Sequence, residues 1–198
     1  MKNAIAILMT LLLTPLLADG ADIELRIQHR RPSAAALIKN GRILCIANRR
    51  SGTLSLVDTE RRSVSEKQIG QQLSDVAAVP GSDQLLVTDF AGSTVVVVRH
   101  SEEGLRIFDR VEVSAWPESV VVNRSGDFAC VASLWSRRLS ILSRSKAAGG
   151  EAQRFSVLHQ IDLSFAPKAA AFVGADQVVV ADCFGGRLVV VDCESGVV

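Results

Sequence analysis

The side chains in this sequence that could do chemistry are few, and they do not converge. His29, His100 and His159 stand far apart, each in a different stretch of sequence. Acid–base or nucleophilic catalysis needs a base within hydrogen-bond reach of its partner, and no spacing of Ser, His and Asp here argues for such a group. No glycine-rich phosphate loop opens a helix, and Gly185-Gly186 reads as a tight hairpin turn. The four cysteines, Cys45, Cys130, Cys183 and Cys193, form neither a CxxC pair nor a CxxCH haem-attachment motif. Asn123-Arg124-Ser125 matches a glycosylation acceptor but falls in a turn, where the signal is weak. The expectation is a chain with no catalytic residues, no metal site and no cofactor of its own.

What the sequence does carry is recognition chemistry. Aromatic and arginine side chains are enriched at the energetic centres of binding surfaces. The candidates are Arg49, Arg50, Phe90, Trp116, Trp135, Arg137, Arg138, Phe184 and Arg187, with Arg30 and Arg31 beside them. The competing reading makes the aromatics plugs between repeats and leaves the arginines solvated. Which holds depends on the elements that carry them.

Those elements repeat. Four segments superimpose: Pro32–Thr59, Ser74–Arg99, Pro117–Ser143 and Pro167–Cys193. Ala47, Thr88, Ala132 and Ala181 hold one equivalent position, recurring at roughly 40–50 residues, a period of propeller blades. Each unit opens with a short apolar strand (34–38, 76–79, 119–122, 169–173) and a Gly, Asn or Asp turn. A second strand (43–47, 85–88, 128–132, 177–181), a loop and a third strand (54–57, 94–98, 139–142, 188–191) follow. A more polar fourth strand ends the first three units (65–69, 105–113, 155–163). Runs such as Val95–Val98 do not alternate, which marks sheets covered on both faces. The expected fold is all-β: a β-propeller of about four blades of four-stranded antiparallel sheet, in units of approximately 32–73, 74–116, 117–166 and 167–198.

In such a blade the loops between second and third strands share one face with the connectors between blades. That rule would gather the candidate aromatics and arginines on one side and leave the opposite side to short polar turns such as Asn40-Gly41 and Asn123–Asp127. Asn48, Asp89, Ser133 and Asp182 recur at one strand end, where short polar side chains cap turns. Cys45 and Cys130 fall on second strands of blades that are not neighbours. Cys183 and Cys193 sit at opposite ends of one hairpin, roughly 15 Å apart at ~3.3 Å per residue, beyond the ~7 Å limit for a bridge. Buried free thiols are therefore expected.

Residues 1–21 read as a secretory signal peptide: Lys2, an apolar run from Ala4 to Leu17 and small residues at Ala18 and Ala21. The run is short for a membrane span, which takes about 18 residues or more. The expected location is periplasmic or secreted, with no membrane contact after signal cleavage. Lys+Arg is 22 and Asp+Glu 21, which argues against nucleic acid as a partner. Asp22–Gln28 alternates and looks like an extra outer strand ahead of the first unit, whereas the fourth unit stops where its own outer strand should begin. Either that strand closes a four-bladed ring, or the chain is part of a longer propeller. An open fragment would expose apolar sheet faces, at residues such as Val95 or Val190, and would associate.

Cys45–Thr59 resembles the strand–loop–strand signature of YVTN-type β-propellers, with weaker echoes at Leu86–Asp89 and Val180–Asp182. The tyrosine that opens that motif is replaced by Cys45, Leu86, Cys130 and Val179. The resemblance implies a blade fold, and seven blades in complete members, so about three would lie outside this chain. Ala115–Ile141 and Ala181–Cys193 also look like bacterial secreted propellers that carry a c-type cytochrome, peroxidase-like region further on. Any haem c would then sit on sequence beyond Val198. Three functions follow. The first is a binding scaffold for a protein or surface polymer. The second is the propeller portion of a periplasmic redox protein. The third is a hydrolase or lactonase, which would need clustered acidic or histidine ligands pointing at the axis; the sequence gives no sign of such a cluster.

Overall fold

The computed structural model describes residues 29–145 and 153–198. The expected signal peptide, Asp22–Gln28 and residues 146–152 lie outside the described residues. The described residues form fifteen strands and no helix.

The first blade contains β1 (Pro32–Ile38), β2 (Ile43–Asn48), β3 (Thr53–Asp58) and β4 (Ser63–Gln68). The second contains β5 (Leu73–Ala78), β6 (Gln84–Asp89), β7 (Thr94–Ser101) and β8 (Gly104–Glu112). The third contains β9 (Pro117–Val122), β10 (Phe128–Ser133), β11 (Arg138–Arg144) and β12 (Phe155–Asp162). The fourth is a three-stranded sheet of β13 (Pro167–Phe172), β14 (Gln177–Asp182) and β15 (Leu188–Asp192). Every sheet is antiparallel in sequence order. Tight turns make this possible: between β1 and β2, Asn40 and Gly41 both take positive φ, which these two residue types tolerate best.

β-branched residues fill the strands because each sheet is covered on both faces. Val95, Val96, Val97 and Val98 of β7 are all fully buried, yet they divide between two cores. Val96 and Val98 face the first blade and Val95 and Val97 face the third, as period-two geometry requires. Each such side chain contributes about 1.5–3 kcal/mol by leaving water. This corrects the expectation that Val95 would be exposed: the second blade has a neighbour on each side. Val190 is exposed as expected.

Three apolar clusters join the four blades, one each between the first and second, second and third, and third and fourth. The innermost strands β1, β5, β9 and β13 pack side by side in that order. The described residues therefore form an open arc of propeller blades and not a closed four-bladed ring.

Each innermost strand also slips register at the same place, after its first residue: at Ser33, Ser74, Glu118 and Lys168. A bulge of this kind re-aims one side chain out of the alternation. Four equivalent side chains are thereby redirected at one end of the arc's inner wall.

The cysteines are free thiols. Burial pushes the Cys45 thiol up to about 12 and that of Cys193 to about 11. Cys130 is raised further, first by burial and then by the neighbouring Cys193, with which it shares the core between the third and fourth blades. Cys45, Cys130 and Cys193 are buried as expected, whereas Cys183 is half-buried, a correction to the expectation for all four.

Candidate functional site

The turns between second and third strands and the inter-blade connectors are tied into one face. The Arg49 N–H donates to Arg31 O at 2.9 Å, that of Phe90 to Gln72 O at 2.7 Å and that of Cys183 to Ala166 O at 2.8 Å. Ser136 Oγ donates to Ala115 O at 3.0 Å. The recurring polar residue at the strand end does the capping expected of it. Asp89 accepts the Gln71 and Gln72 N–H groups at 2.9 Å each and that of Gly92 at 3.2 Å. Asp182 accepts from Phe184 at 3.0 Å, and that bond leads the effects that hold its carboxyl below the usual carboxylate range. Ser133 Oγ donates to Ser114 O, and Asn48 Nδ2 donates to Thr53 and Ser55.

These caps set which turn residues project. Each turn ends in a positive-φ residue, at Gly52, Ser93, Arg137 and Gly186. The tip two residues earlier is Arg50, Ala91, Trp135 or Phe184. Trp135 is 61% exposed and Phe184 75%. Trp116, in the connector before Pro117, is 47% exposed. It holds φ 58, a left-handed conformation that costs a non-glycine residue about 1–2 kcal/mol. These three are the exposed aromatic residues among the described ones, and all stand on this face; the other six phenylalanines are buried or half-buried.

The arginines divide. Arg50 and Arg137 are exposed and form no ion pair among the described residues. Arg138 pairs with Asp162 at 2.5 Å, on the rim. Arg187 lies 3.4 Å from Asp182 and 5.6 Å from the Phe165 ring centroid. Arg49 is committed: its guanidinium lies 4.5 Å from the Phe90 ring centroid and reaches Glu118 through three contacts of 3.2–3.3 Å. So Phe90 is framework in this face, as the competing reading held for the aromatics, and Arg49 is fixed where that reading left the arginines solvated, while Trp116, Trp135, Phe184, Arg50 and Arg137 are exposed.

The residues missing from the sequence reading lie at the inner wall. Glu118, on the bulge of β9, also accepts Lys168 Nζ at 3.1 Å from the equivalent bulge of β13. Arg49 belongs to the first blade and Glu118 to the third, so the pair reaches over the second blade, with Phe90 beneath it. Ser33 and Ser74, at the same bulge position, donate to Leu73 O and Pro117 O of the next innermost strand at 3.0 and 2.6 Å. One position thus links each innermost strand to the next, by a hydroxyl in the first two blades and by charge in the last two. Two acidic groups, Asp75 and Glu118, stand on innermost strands, each bonded within the protein. Among the described residues no group of three or more His, Cys, Asp and Glu could hold a metal ion.

Asp75 closes the gap between β5 and β9. Its carboxylate accepts the Val120 N–H at 2.9 Å and the Val76 N–H at 2.8 Å. Burial raises its pKa above the ordinary value, the charge of Glu118 adds to this, and the two N–H groups and Lys168 oppose it. A raised native value means that ionised Asp75 weighs against the folded state above that value. The penalty disappears below the unfolded value of ~3.8. The stability difference between the wild type and Asp75→Asn is expected to move in favour of the wild type as pH falls from 7 to about 4, then level off. Urea melts across that range read it directly, and a pH-independent difference would contradict the assignment.

A separate cleft lies elsewhere. It measures about 830 Å³ and opens between β9 and β13, lined by Val121, Arg124, Ala170, Phe172 and Gly174 among others. That is the opposite end of the inner wall from Glu118. Its walls are mostly aliphatic and it gathers no second charged group.

No protein-family model matches the sequence, and no curated protein does. Solved structures do match in shape. Hydrazine synthase of Kuenenia stuttgartiensis superimposes with a TM-score of 0.71 at 19% identity, over 84% of this chain and 47% of that one. The β-propeller domain of Swd1 from Myceliophteria thermophila gives 0.65 at 11% identity, covering 80% and 52%. The periplasmic gluconolactonase of Pseudomonas aeruginosa gives 0.62 at 20% identity, covering 83% and 54%. The chain has the β-propeller fold, and it spans about half the length of these structures.

Proposed function

We propose that this chain is an extracytoplasmic binding scaffold of the YVTN type, docking a protein or a surface polymer on the face that carries its turns and connectors. The observation that carries this is the placement of Trp116, Trp135 and Phe184. Three large aromatic side chains stand in solvent on one face, two of them at the same turn tip of successive blades. Exposing them costs hydrophobic free energy that a partner would recover. Arg50 and Arg137 beside them supply charge that forms no ion pair among the described residues. Glu118 is held by Arg49 and Lys168, an arrangement that ties the innermost strands together beside this face.

Trp135→Ala is expected to weaken partner capture by more than ~1 kcal/mol, as truncating a central aromatic does, with the melting temperature unchanged. Asp83→Ala and Arg124→Ala, on the other face, should leave capture as it was. Capture is measured with immobilised protein against the extracytoplasmic fraction of the producing cell. A Trp135→Ala variant that melts lower yet captures equally would make these aromatics structural.

The second reading is the propeller portion of a periplasmic redox protein, supported by the likeness of Ala115–Ile141 and Ala181–Cys193 to secreted propellers with a c-type cytochrome region. A CxxCH motif in sequence continuing past Val198 would decide for it.

A further inference from the structure

Turn tips and connectors recur once per blade, so their side chains compare position by position. The connector residue before each innermost strand is Arg31, Gln72, Trp116 and Ala166 in blades one to four. The turn tip is Arg50, Ala91, Trp135 and Phe184. The first blade therefore carries arginine at the same two positions where the third carries tryptophan. The second blade, between them, carries neither charge nor ring at either position.

The members of each pair are held beside one another by the backbone. The Arg49 N–H donates to Arg31 O and the Arg50 N–H to Arg30 O, at 2.9 and 3.0 Å. In the third blade Ser136 Oγ donates to Ala115 O, and each of these residues is the chain neighbour of a tryptophan. Arg31 and Trp116 share a left-handed backbone, at φ 51 and 58, directly before Pro32 and Pro117. Neither residue type favours that conformation, and backbone strain of this kind collects at ligand sites. All four side chains are exposed, and Arg31 and Arg50 form no ion pair among the described residues.

Such a face selects an extended partner that offers carboxylates to the first blade and flat, weakly polar surfaces to the third. A protein interface is built round a continuous apolar centre. Here the rings are set apart: Trp135 is followed by Ser136 and Arg137, and Phe184 by Gly185 and Gly186. A sugar ring suits isolated platforms, because its C–H face stacks on the electron-rich face of an aromatic ring while its hydroxyls stay in water. A uronate sugar adds one carboxylate per ring, and a guanidinium receives it with paired N–H donors.

We propose that this face binds a linear polymer of uronate sugars. The polymer lies from the first blade across the second to the third, with carboxylates on Arg31 and Arg50 and ring faces on Trp116 and Trp135. The inference rests on the binding-face reading and names the chemistry of its partner.

The chain has two tryptophans, both in this site, so their fluorescence reports occupancy. Titration of the full chain with polygalacturonate, and in parallel with alginate, should change that emission. The methyl ester of polygalacturonate keeps the rings and removes the charge, and should bind about tenfold more weakly or worse. Trp135→Ala and Trp116→Asn should each weaken the acid polymer about fivefold or more; asparagine tolerates the left-handed backbone at 116. The remaining tryptophan gives the signal in each variant. The double change Arg31→Gln with Arg50→Gln should weaken the acid polymer and leave the ester as it was. Circular dichroism checks each fold, with Trp135→Gln as the replacement should Trp135→Ala unfold. Equal affinity for acid and ester, or binding indifferent to both tryptophan changes, overturns the proposal. So does failure of both acid polymers to bind. If Trp135-dependent capture from the extracytoplasmic fraction then persists and protease treatment of that fraction abolishes it, the face binds a protein and the broader reading stands. If Trp135→Ala leaves capture intact, both readings fall.

Discussion

Asp89→Ala should destabilise the protein by about 3 kcal/mol, the loss of three part-buried hydrogen bonds to a charged acceptor at ~1 kcal/mol each. Asp89 is almost fully buried, and its carboxylate serves Gln71, Gln72 and Gly92 at once. Two of those donors belong to the connector from the first blade and one to the turn after β6. Loss of the carboxylate therefore loosens a blade and its joint together. A fall in melting temperature of roughly 6–12 °C corresponds, at ~2–4 °C per kcal/mol for a domain of this size. The glycines beside it provide an internal control. A Cβ at Gly92 would sit 2.6 Å from Asp89 Oδ2, and one at Gly70 2.3 Å from it. Gly92→Ala should thus be costly alone and cheaper in the Asp89→Ala background, a coupling that a double-mutant cycle measures. Additive effects would mean that Asp89 does not set the space around these glycines.

Glu118→Ala should cost about 2 kcal/mol, less than the ~3–5 kcal/mol of breaking a fully buried pair, because Lys168 is half exposed and screened by solvent. The change removes the anchor from both Arg49 and Lys168. Arg49 keeps its stacking on Phe90, so the loss falls on the link between the first and third blades. Arg49→Met in the Glu118→Ala background should then cost little more, since the unpaired charge has gone. If Glu118→Ala proves neutral in urea denaturation, the network is an ornament of the mouth and does not hold the arc's inner wall.

The repeat, the strand order within each blade and the face that carries the turns were all legible in the sequence. Each rests on local rules: a period of propeller length, apolar runs bounded by turn residues, and caps at Asn48, Asp89, Ser133 and Asp182. Trp135 and Phe184 could be placed on one face because they share one offset from those caps. The division of labour among the arginines could not be read. Arg49 and Arg50 are adjacent and identical in type, yet one is locked to the third blade and the other forms no ion pair among the described residues, because the bond of Arg49 depends on how far two further blades curve back toward it.

The bulge residues were hidden for a related reason. Period-two alternation assigns faces within a strand, and a one-residue bulge breaks that count without any signature in composition. Glu118 and Lys168 thus fell just ahead of the strands expected at 119–122 and 169–173, whereas the register puts them inside β9 and β13. Val95 shows the same limit from the other side: its sequence neighbours made it a buried-sheet residue, and only the order of blades in space decided that a third blade covered it. The amino-acid sequence by itself determined what each blade is, through contacts near in sequence. The tertiary structure decided what lies between blades, through contacts set by the curvature of the arc.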